Sequence, residues 1–155
     1  MKNIARIFIL LALSTLVSCG VATKSNVILS QTFDASGWEK FSPVSSEVVV
    51  SKPVTYNLSL KVKFAESYAN QDFNVVFTVF DSGDTPVRAK AYSFRIKDND
   101  GAWRAEPKDG CYEFDFPINK NLSITDPDNY RFQIDSRMPI TPLMGVMKLE
   151  LINNQ

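Results

Sequence analysis

The sequence predicts an all-β domain, an antiparallel β-sandwich of about eight strands, preceded by a lipoprotein signal peptide. Three observations support this fold class. Apolar and polar residues alternate with a period of two through much of the chain, turn-forming residues separate these stretches, and no stretch keeps a helical period. A chain of 155 residues is long enough for one core of this kind.

The clearest strand lies in the first half of the chain. In residues 55–64, T-Y-N-L-S-L-K-V-K-F, apolar and polar residues alternate without a break, which predicts one face in the core and one in water. Residues 73–80 are apolar on both faces and predict a central strand. Residues 27–33 and 47–51 are weaker strand predictions.

The remaining strands follow between turn signals. In residues 87–96 the apolar positions change from odd to even numbers, and a β-bulge near Ala91 would produce this change. The turn signals D-S-G-D, D-N-D-G and D-P-D-N begin at Asp81, Asp98 and Asp126. Three further alternating stretches predict strands at residues 112–116, 130–134 and 147–151.

Residues 1–18 have the layout of a secretory signal peptide. Lys2 and Arg6 form the positively charged beginning, and residues 7–17 form an apolar stretch followed by small residues. As a helix this stretch would be about 17 Å long, too short for roughly 30 Å of membrane hydrocarbon. We therefore expect a cleaved signal rather than a permanent membrane span.

The signal ends in L-V-S-C, residues 16–19, which resembles the bacterial lipobox. In lipobox proteins the cysteine thiol receives diacylglycerol, and the signal is cut before the cysteine. Two or three acyl chains such as palmitate hold a protein firmly on a membrane, at about 0.8 kcal/mol per buried methylene. We expect lipidation at Cys19, a short tether within residues 19–26 and the sandwich domain in residues 27–155. The alternative is an ordinary secretory peptide in which Cys19 is incidental.

The composition excludes several kinds of site. Basic and acidic residues balance at 17 each, so no charge excess predicts binding to nucleic acid. The chain has no histidine, which removes the commonest general base and zinc ligand. With Cys19 lipidated, Cys111 has no intrachain disulfide partner, and we expect it to be a small buried thiol. We predict no enzymatic activity, no metal and no cofactor.

Two acidic patterns have alternative interpretations. The D-N-D-G stretch at residues 98–101 has oxygen ligands as in a calcium loop, but its glycine follows the second aspartate directly, so a tight turn is preferred over calcium binding. Glu113 and Asp115 lie on one face of a strand, about 7 Å apart. A glycosidase pair usually comes from separate elements lining a cleft, so we interpret these two acids as a solvated surface.

Trp38, Trp103 and Tyr112 are the candidate ligand-stacking residues. An exposed aromatic row on a sandwich would be a platform for sugar rings, and the alternative function is therefore a carbohydrate-binding lipoprotein. The simpler interpretation is that each tryptophan fixes a loop onto the core and donates its indole N–H to backbone. Exposure of the three rings along a groove would favour the first interpretation, and burial the second.

Several short motifs occur in order between residues 27 and 152. They are G-W at 37–38, Y-N-L-S-L-K-V at 56–62, D-N-D-G-A-W at 98–103, Y-R-F-Q-I at 130–134 and P-L-M-G-V at 142–146. Their order and spacing resemble the gliding-motility lipoprotein family GldH of Bacteroidota. The resemblance implies a β-sandwich lipoprotein without enzymatic activity, associated with the gliding and type IX secretion apparatus. It supplies no functional residue beyond Cys19.

The resemblance also sets expectations for location and partners. We expect contact with the membrane through acyl chains on Cys19 and with other gliding or secretion proteins of the cell envelope, and none with nucleic acid. Residues 20–26 reach at most about 25 Å, so the domain would lie close to the bilayer. No acidic run follows Cys19, and such a run usually marks surface-exported lipoproteins in Bacteroidota. We therefore expect an outer membrane lipoprotein that faces the periplasm.

Overall fold

The computed structural model describes residues 26–155, and all regular secondary structure in that range is β-strand. The all-β fold class predicted from the sequence is therefore confirmed. The strands are β1 (Val27–Thr32), β2 (Val44–Val50), β3 (Val54–Ala65), β4 (Asp72–Phe80), β5 (Pro86–Arg95), β6 (Pro107–Lys108), β7 (Cys111–Ile124), β8 (Asp128–Ser136) and β9 (Val146–Asn153).

The strands of residues 26–155 form two sheets that face each other as a sandwich. The five-stranded sheet has the order β1-β9-β3-β7-β6, and the four-stranded sheet has the order β2-β8-β4-β5. Neighbouring strands are antiparallel throughout. Side chains of the two sheets meet in the middle: the ring of Phe94 on β5 stacks on that of Phe116 on β7, with centroids 4.0 Å apart.

The core lies between the inner faces of the sheets, where the alternation places the apolar side chains. In β3, Leu58, Leu60, Val62 and Phe64 are at most 2% exposed, and the intervening Lys61 points outward. Burying each such side chain stabilises the fold by about 1.5–3 kcal/mol. The facing strand β4 contributes an equally buried row, formed by Phe73, Val75, Phe77 and Val79.

The strand count differs slightly from the prediction, with nine strands in the described range against about eight expected. The added strand is β6, two residues that pair with the start of β7. β7 itself continues well past Phe116, where its alternation is interrupted by Pro117 and by Asn121, a non-glycine residue with a φ of 62°. β7 remains paired with β3 on both sides of these irregularities, and the pairing register shifts on either side of Leu58 in β3.

The predicted β-bulge near Ala91 is wrong. Ala91 pairs with Val76 in an unbroken register, and the irregularity in this pairing lies between Val79 and Phe80. The apolar phase of β5 changes for a different reason. β5 is an edge strand with mostly exposed residues, so its small apolar side chains tolerate the outer face without burial.

The strand directions give the sandwich two different ends. Asn26 precedes β1 at one end, which we call the Asn26 end; it also carries segments 51–53, 81–85 and 125–127. The opposite end, which we call the loop end, carries the longer segments 33–43, 66–71, 96–110 and 137–145. The 12 residues of β3 span about 40 Å between these ends.

The predicted signal peptide, Cys19 and most of the tether lie outside the described residues, and their assignment stays a prediction. Within residues 26–155 no helix is long and apolar enough to cross a membrane.

Tyr68 is fixed at the loop end by close backbone contacts. Its N–H donates to the carbonyl of Ala65, 3.0 Å away, and the N–H of Ala65 donates to the carbonyl of Gly145 at 2.8 Å. Gly145 has a φ of 83°, and a Cβ placed on it would lie 2.8 Å from the Cα of Tyr68. Any other residue at this position would adopt a disfavoured backbone conformation, and its Cβ would clash with the backbone of Tyr68.

We predict that Gly145→Ala destabilises the domain far more than Gly101→Ala. Gly101 has a similar φ of 86°, but a Cβ there would have no atom within 4 Å. Gly101→Ala should therefore cost only the backbone strain, about 1 kcal/mol, and Gly145→Ala about 3 kcal/mol or more because Tyr68 must also move. Urea unfolding of the two variants measures the difference, and equal losses would contradict the proposed steric role of Gly145.

Candidate functional site

Trp38 is buried at the loop end and is not a stacking platform. Its side chain is 2% exposed. Its backbone N–H and C=O exchange hydrogen bonds with those of Leu143, at 3.0 and 2.8 Å, and its indole N–H donates to the carbonyl of Ser42 at 2.7 Å. The ring of Phe33 stacks on it with centroids 5.1 Å apart. Trp38 therefore joins segment 33–43 to segment 137–145 through hydrogen bonds. Neither face of its ring is open to a ligand.

Trp103 is half-buried, and both faces of its ring are covered. The ring of Tyr112 stacks on it with centroids 4.0 Å apart and planes 7° from parallel. The ammonium of Lys97 lies 4.3 Å from the centroid of Trp103. Groups this close cannot share one face, so the lysine and the tyrosine cover opposite faces. No face of Trp103 is free to stack on a sugar.

Lys97 links Trp103 to the core. Its residue is buried, and its Nζ donates to the backbone carbonyl of Tyr68. The hydroxyl of Tyr68 in turn donates to the carbonyl of Asp72 at 2.9 Å, and burial raises the pKa of this hydroxyl. The segment that carries Trp103 is thus attached to the turn between the two sheets.

The three predicted stacking residues do not form an exposed row. Trp38 and Trp103 lie on either side of Phe64, Tyr68 and Phe73, which fill the space between them. Tyr112 presents one face to Trp103. These rings close the loop end of the sandwich, and the geometry removes the platform that a carbohydrate-binding function would need.

Glu113 and Asp115 are ion-paired on the outer face of the five-stranded sheet. Glu113 lies 3.6 Å from Lys63, and Asp115 lies 3.9 Å from Lys61. Both carboxyl side chains are about half exposed, so solvent weakens each pair to about 1 kcal/mol or less. In residues 26–155 no group of three or more acids or thiols is placed to hold a metal ion. The arrangement is that of a solvated sheet face.

The D-N-D-G stretch forms the predicted tight turn. The N–H of Gly101 donates to the carbonyl of Asp98 at 3.0 Å, and the N–H of Asp98 donates to that of Ala102 at 2.8 Å. The Asp98 carboxylate is paired with Arg104 at 2.7 Å. The oxygens of this turn are therefore engaged in closing a hairpin-like connection between Lys97 and Trp103.

Cys111 is the buried thiol that the sequence predicts. It is 8% exposed, it forms no disulfide within residues 26–155, and its Sγ lies 3.3 Å from the sulfur of Met147. The thiol fills space beside the outer face of β9.

Comparison with protein families assigns the chain. The family model described as GldH lipoprotein matches residues 28–151, which is most of the chain and nearly the whole sandwich. The chain belongs to the GldH lipoprotein family. Comparison with curated proteins finds no match. Membership in this family implies a lipoprotein of the cell envelope associated with gliding motility.

A groove on the outer face of the four-stranded sheet is a feature that sequence reasoning missed in this GldH-family chain. Its volume is about 690 Å³, and its floor includes Val76, Thr78, Phe80 and Ala89. Phe41 stands at its rim, 89% exposed and with a φ of 65°. The signal in the sequence is β4, whose outer face carries Val76 and Phe80 although the other sheet covers only its inner face.

We predict that Lys97→Met destabilises the domain by about 1–3 kcal/mol, because the carbonyl of Tyr68 loses its buried donor and Trp103 loses the ammonium on its face. Lys40→Met is the matched control, since Lys40 also lies over an aromatic ring, that of Phe41, but at an exposed site. It should change stability by less than about 0.5 kcal/mol. Urea unfolding measures both, and coincident unfolding curves would contradict a structural role for Lys97.

Proposed function

We propose that this protein is a lipid-anchored, non-catalytic component of the gliding motility and type IX secretion machinery that acts by protein–protein contact near the membrane. The observation that carries the proposal is the family match over residues 28–151. The lipobox at residues 16–19 supports anchoring through Cys19. The balanced charge and the absence of an acidic run after Cys19 support an outer membrane position facing the periplasm, away from nucleic acid.

The geometry of the sandwich supports an orientation on the membrane. Asn26 is joined to the end of β9, where the N–H of Asn153 donates to its carbonyl at 2.8 Å. Residues 20–26 are too few to let the domain move more than about 25 Å from a lipidated Cys19. The Asn26 end therefore faces the bilayer, and the loop end lies about 40 Å further out.

The structure of the described residues supports contact rather than turnover. The acids that resemble a catalytic pair are engaged by lysines, and the tryptophans that resemble a sugar platform are packed. Large apolar side chains are nevertheless exposed, and partners can bury them. Those at the loop end are Phe41, Ile140, Met144 and Met147.

Lipidation is tested by labelling with a palmitate analogue in the native organism. The wild-type chain should carry label and sediment with membranes, and Cys19→Ala should lose both properties because it lacks the only proposed acceptor thiol. Cys111→Ala is the matched control and should label like the wild type. Equal labelling of the wild type and Cys19→Ala would overturn the anchoring proposal.

The contact role is tested by affinity purification of the lipidated protein from detergent-solubilised membranes after cross-linking in cells. We expect recovery of gliding or type IX secretion proteins with the wild type and their loss with Cys19→Ala, because the unanchored protein is diluted away from the membrane. Recovery of the same set from a control lipoprotein that has the same signal peptide, or of none of these proteins, would contradict the proposed association.

A further inference from the structure

The outer edge of β5 is a long and regular open strand edge of the sandwich. β5 has ten residues and lies at the edge of the four-stranded sheet, and within residues 26–155 no strand pairs with its far side. Its register with β4 is unbroken from Arg95 to Arg88, and nearly all its residues are exposed. A regular open edge of this length presents a row of N–H and C=O groups that can receive another strand.

The hydrogen-bond phase identifies which groups face outward. The N–H of Arg137, just after β8, donates to the carbonyl of Asn74 on β4. Backbone groups of successive residues point to opposite sides of a strand, so the even-numbered residues of β4 form hydrogen bonds with β8 and the odd-numbered ones with β5. The partners of those odd residues are Arg88, Lys90, Tyr92 and Phe94. The free N–H and C=O groups of β5 therefore belong to Val87, Ala89, Ala91 and Ser93.

The side chains of β5 differ on its two faces. Val87, Ala89, Ala91 and Ser93 lie on the outer face, and Ala89 belongs to the groove floor. Arg88 and Lys90 share the other face with Phe94, whose ring contacts β7. A strand added to this edge would therefore place alternate side chains beside a small apolar strip and beside two cations.

The two cations have no acidic partner in the described part of the chain. The six ion pairs found there do not include Arg88 or Lys90, and the Lys90 ammonium lies 5.0 Å from the ring centroid of Tyr92. β5 contains no acid at all. Other exposed charges of the sheets, such as Lys61 and Lys63, are paired. The β5 edge is thus positively charged without a counter-charge of its own.

This charge also argues against a second copy of the chain as the added strand. Antiparallel pairing of β5 with itself about Ala89 would place Arg88 opposite Lys90 of the other copy, twice. Like charges directly opposite each other destabilise a strand pair. In this register the cations disfavour self-association, whereas a partner of opposite charge would meet them favourably.

We propose that the free edge of β5 binds an extended segment of another envelope protein as an added antiparallel strand, in which acidic residues alternate with apolar ones. The acids lie opposite Arg88 and Lys90, and the apolar side chains extend the strip formed by Val87, Ala89 and Ala91. Main-chain hydrogen bonds supply affinity, and the alternating side chains supply specificity. This proposal rests on the proposed contact function and names the chemistry of the partner.

The experiment uses the full-length lipidated protein in detergent micelles and a capped peptide of about ten residues, which matches the length of β5. In this peptide every second residue is Glu, and the residues between are Val or Thr. The control peptide has Lys in place of Glu. We expect the acidic peptide to bind at least about tenfold more tightly than the basic one. On binding it, the amides of Ala89 and Ala91 should exchange hydrogen at least about tenfold more slowly, while that of Lys90 changes little because it already bonds to β4.

Two pairs of variants make the test specific. Ala89→Pro removes an outward N–H without removing a bond to β4, and it should abolish binding. Val49→Pro makes the same change at the opposite edge of the sheet, on β2, and should leave binding intact. Arg88→Glu with Lys90→Glu should invert the preference toward the basic peptide, whereas Lys52→Glu, in the loop before β3, should not.

Three outcomes would overturn the proposal: no binding of the acidic peptide up to about 1 mM, equal binding of both peptides, or protection of the β2 edge in place of β5. Self-association of the wild type through β5 would also overturn it. Because these measurements use a synthetic peptide and no native partner, they can fail while lipidation and partner recovery succeed, and the two proposals are judged separately.

Discussion

The closure of the loop end around Tyr68 is the constraint on which the rest of the sandwich depends. In the described chain each of the four segments at this end crosses from one sheet to the other, and the gap between the sheets has to be filled by side chains. Tyr68 occupies that gap with no exposed surface. Its backbone is held from three directions: by Ala65 of β3, by the bare Cα of Gly145 before β9, and by the ammonium of Lys97 after β5. Three of the crossing segments are thus fixed to one another at Tyr68, and segment 33–43 is attached to them through the hydrogen bonds between Trp38 and Leu143.

This closure decides what the aromatic residues can do. A sandwich end that four crossings leave open needs large side chains to exclude water, and aromatic rings supply the greatest buried area per residue. Trp38 and Trp103 serve this purpose together with Phe64 and Phe73. Their ring faces are occupied by other parts of the chain, so the loop end gains stability at the expense of ligand stacking. Surfaces for partners must then come from loop tips, sheet faces and strand edges.

The sequence predicts the parts of the fold in which burial follows alternation. β3 has one face in the core and one in water, and its pattern gives the strand and its inner residues correctly. The pattern fails where exposure no longer depends on parity, as in β5, whose outer edge is open and whose phase change needs no bulge. For Trp38 the preferred interpretation, packing with the indole N–H donated to backbone, is confirmed. Its partners Leu143 and Ser42 could not be named from the sequence, because they are set by the crossing of distant segments. Alternation reports the environment along one strand, and it contains no information about contacts between loops.

The outer faces of the two sheets have different physical characters, and this difference determines where contact is favourable. On the five-stranded sheet, Lys61, Lys63 and Lys148 are each paired with an acid, and a docking protein would have to replace those pairs. On the four-stranded sheet, the outer face of β4 and β5 includes Val76, Phe80 and Ala89, and the cations Arg88 and Lys90 on the other face of the β5 edge have no acid paired with them in residues 26–155. Burying paired charges gives little net free energy, because desolvation offsets their attraction. Covering apolar surface and adding a counter-charge to an unpaired cation both lower the free energy. The groove over β4 and the free edge of β5 are therefore better suited to a partner than the paired lysines of the five-stranded sheet.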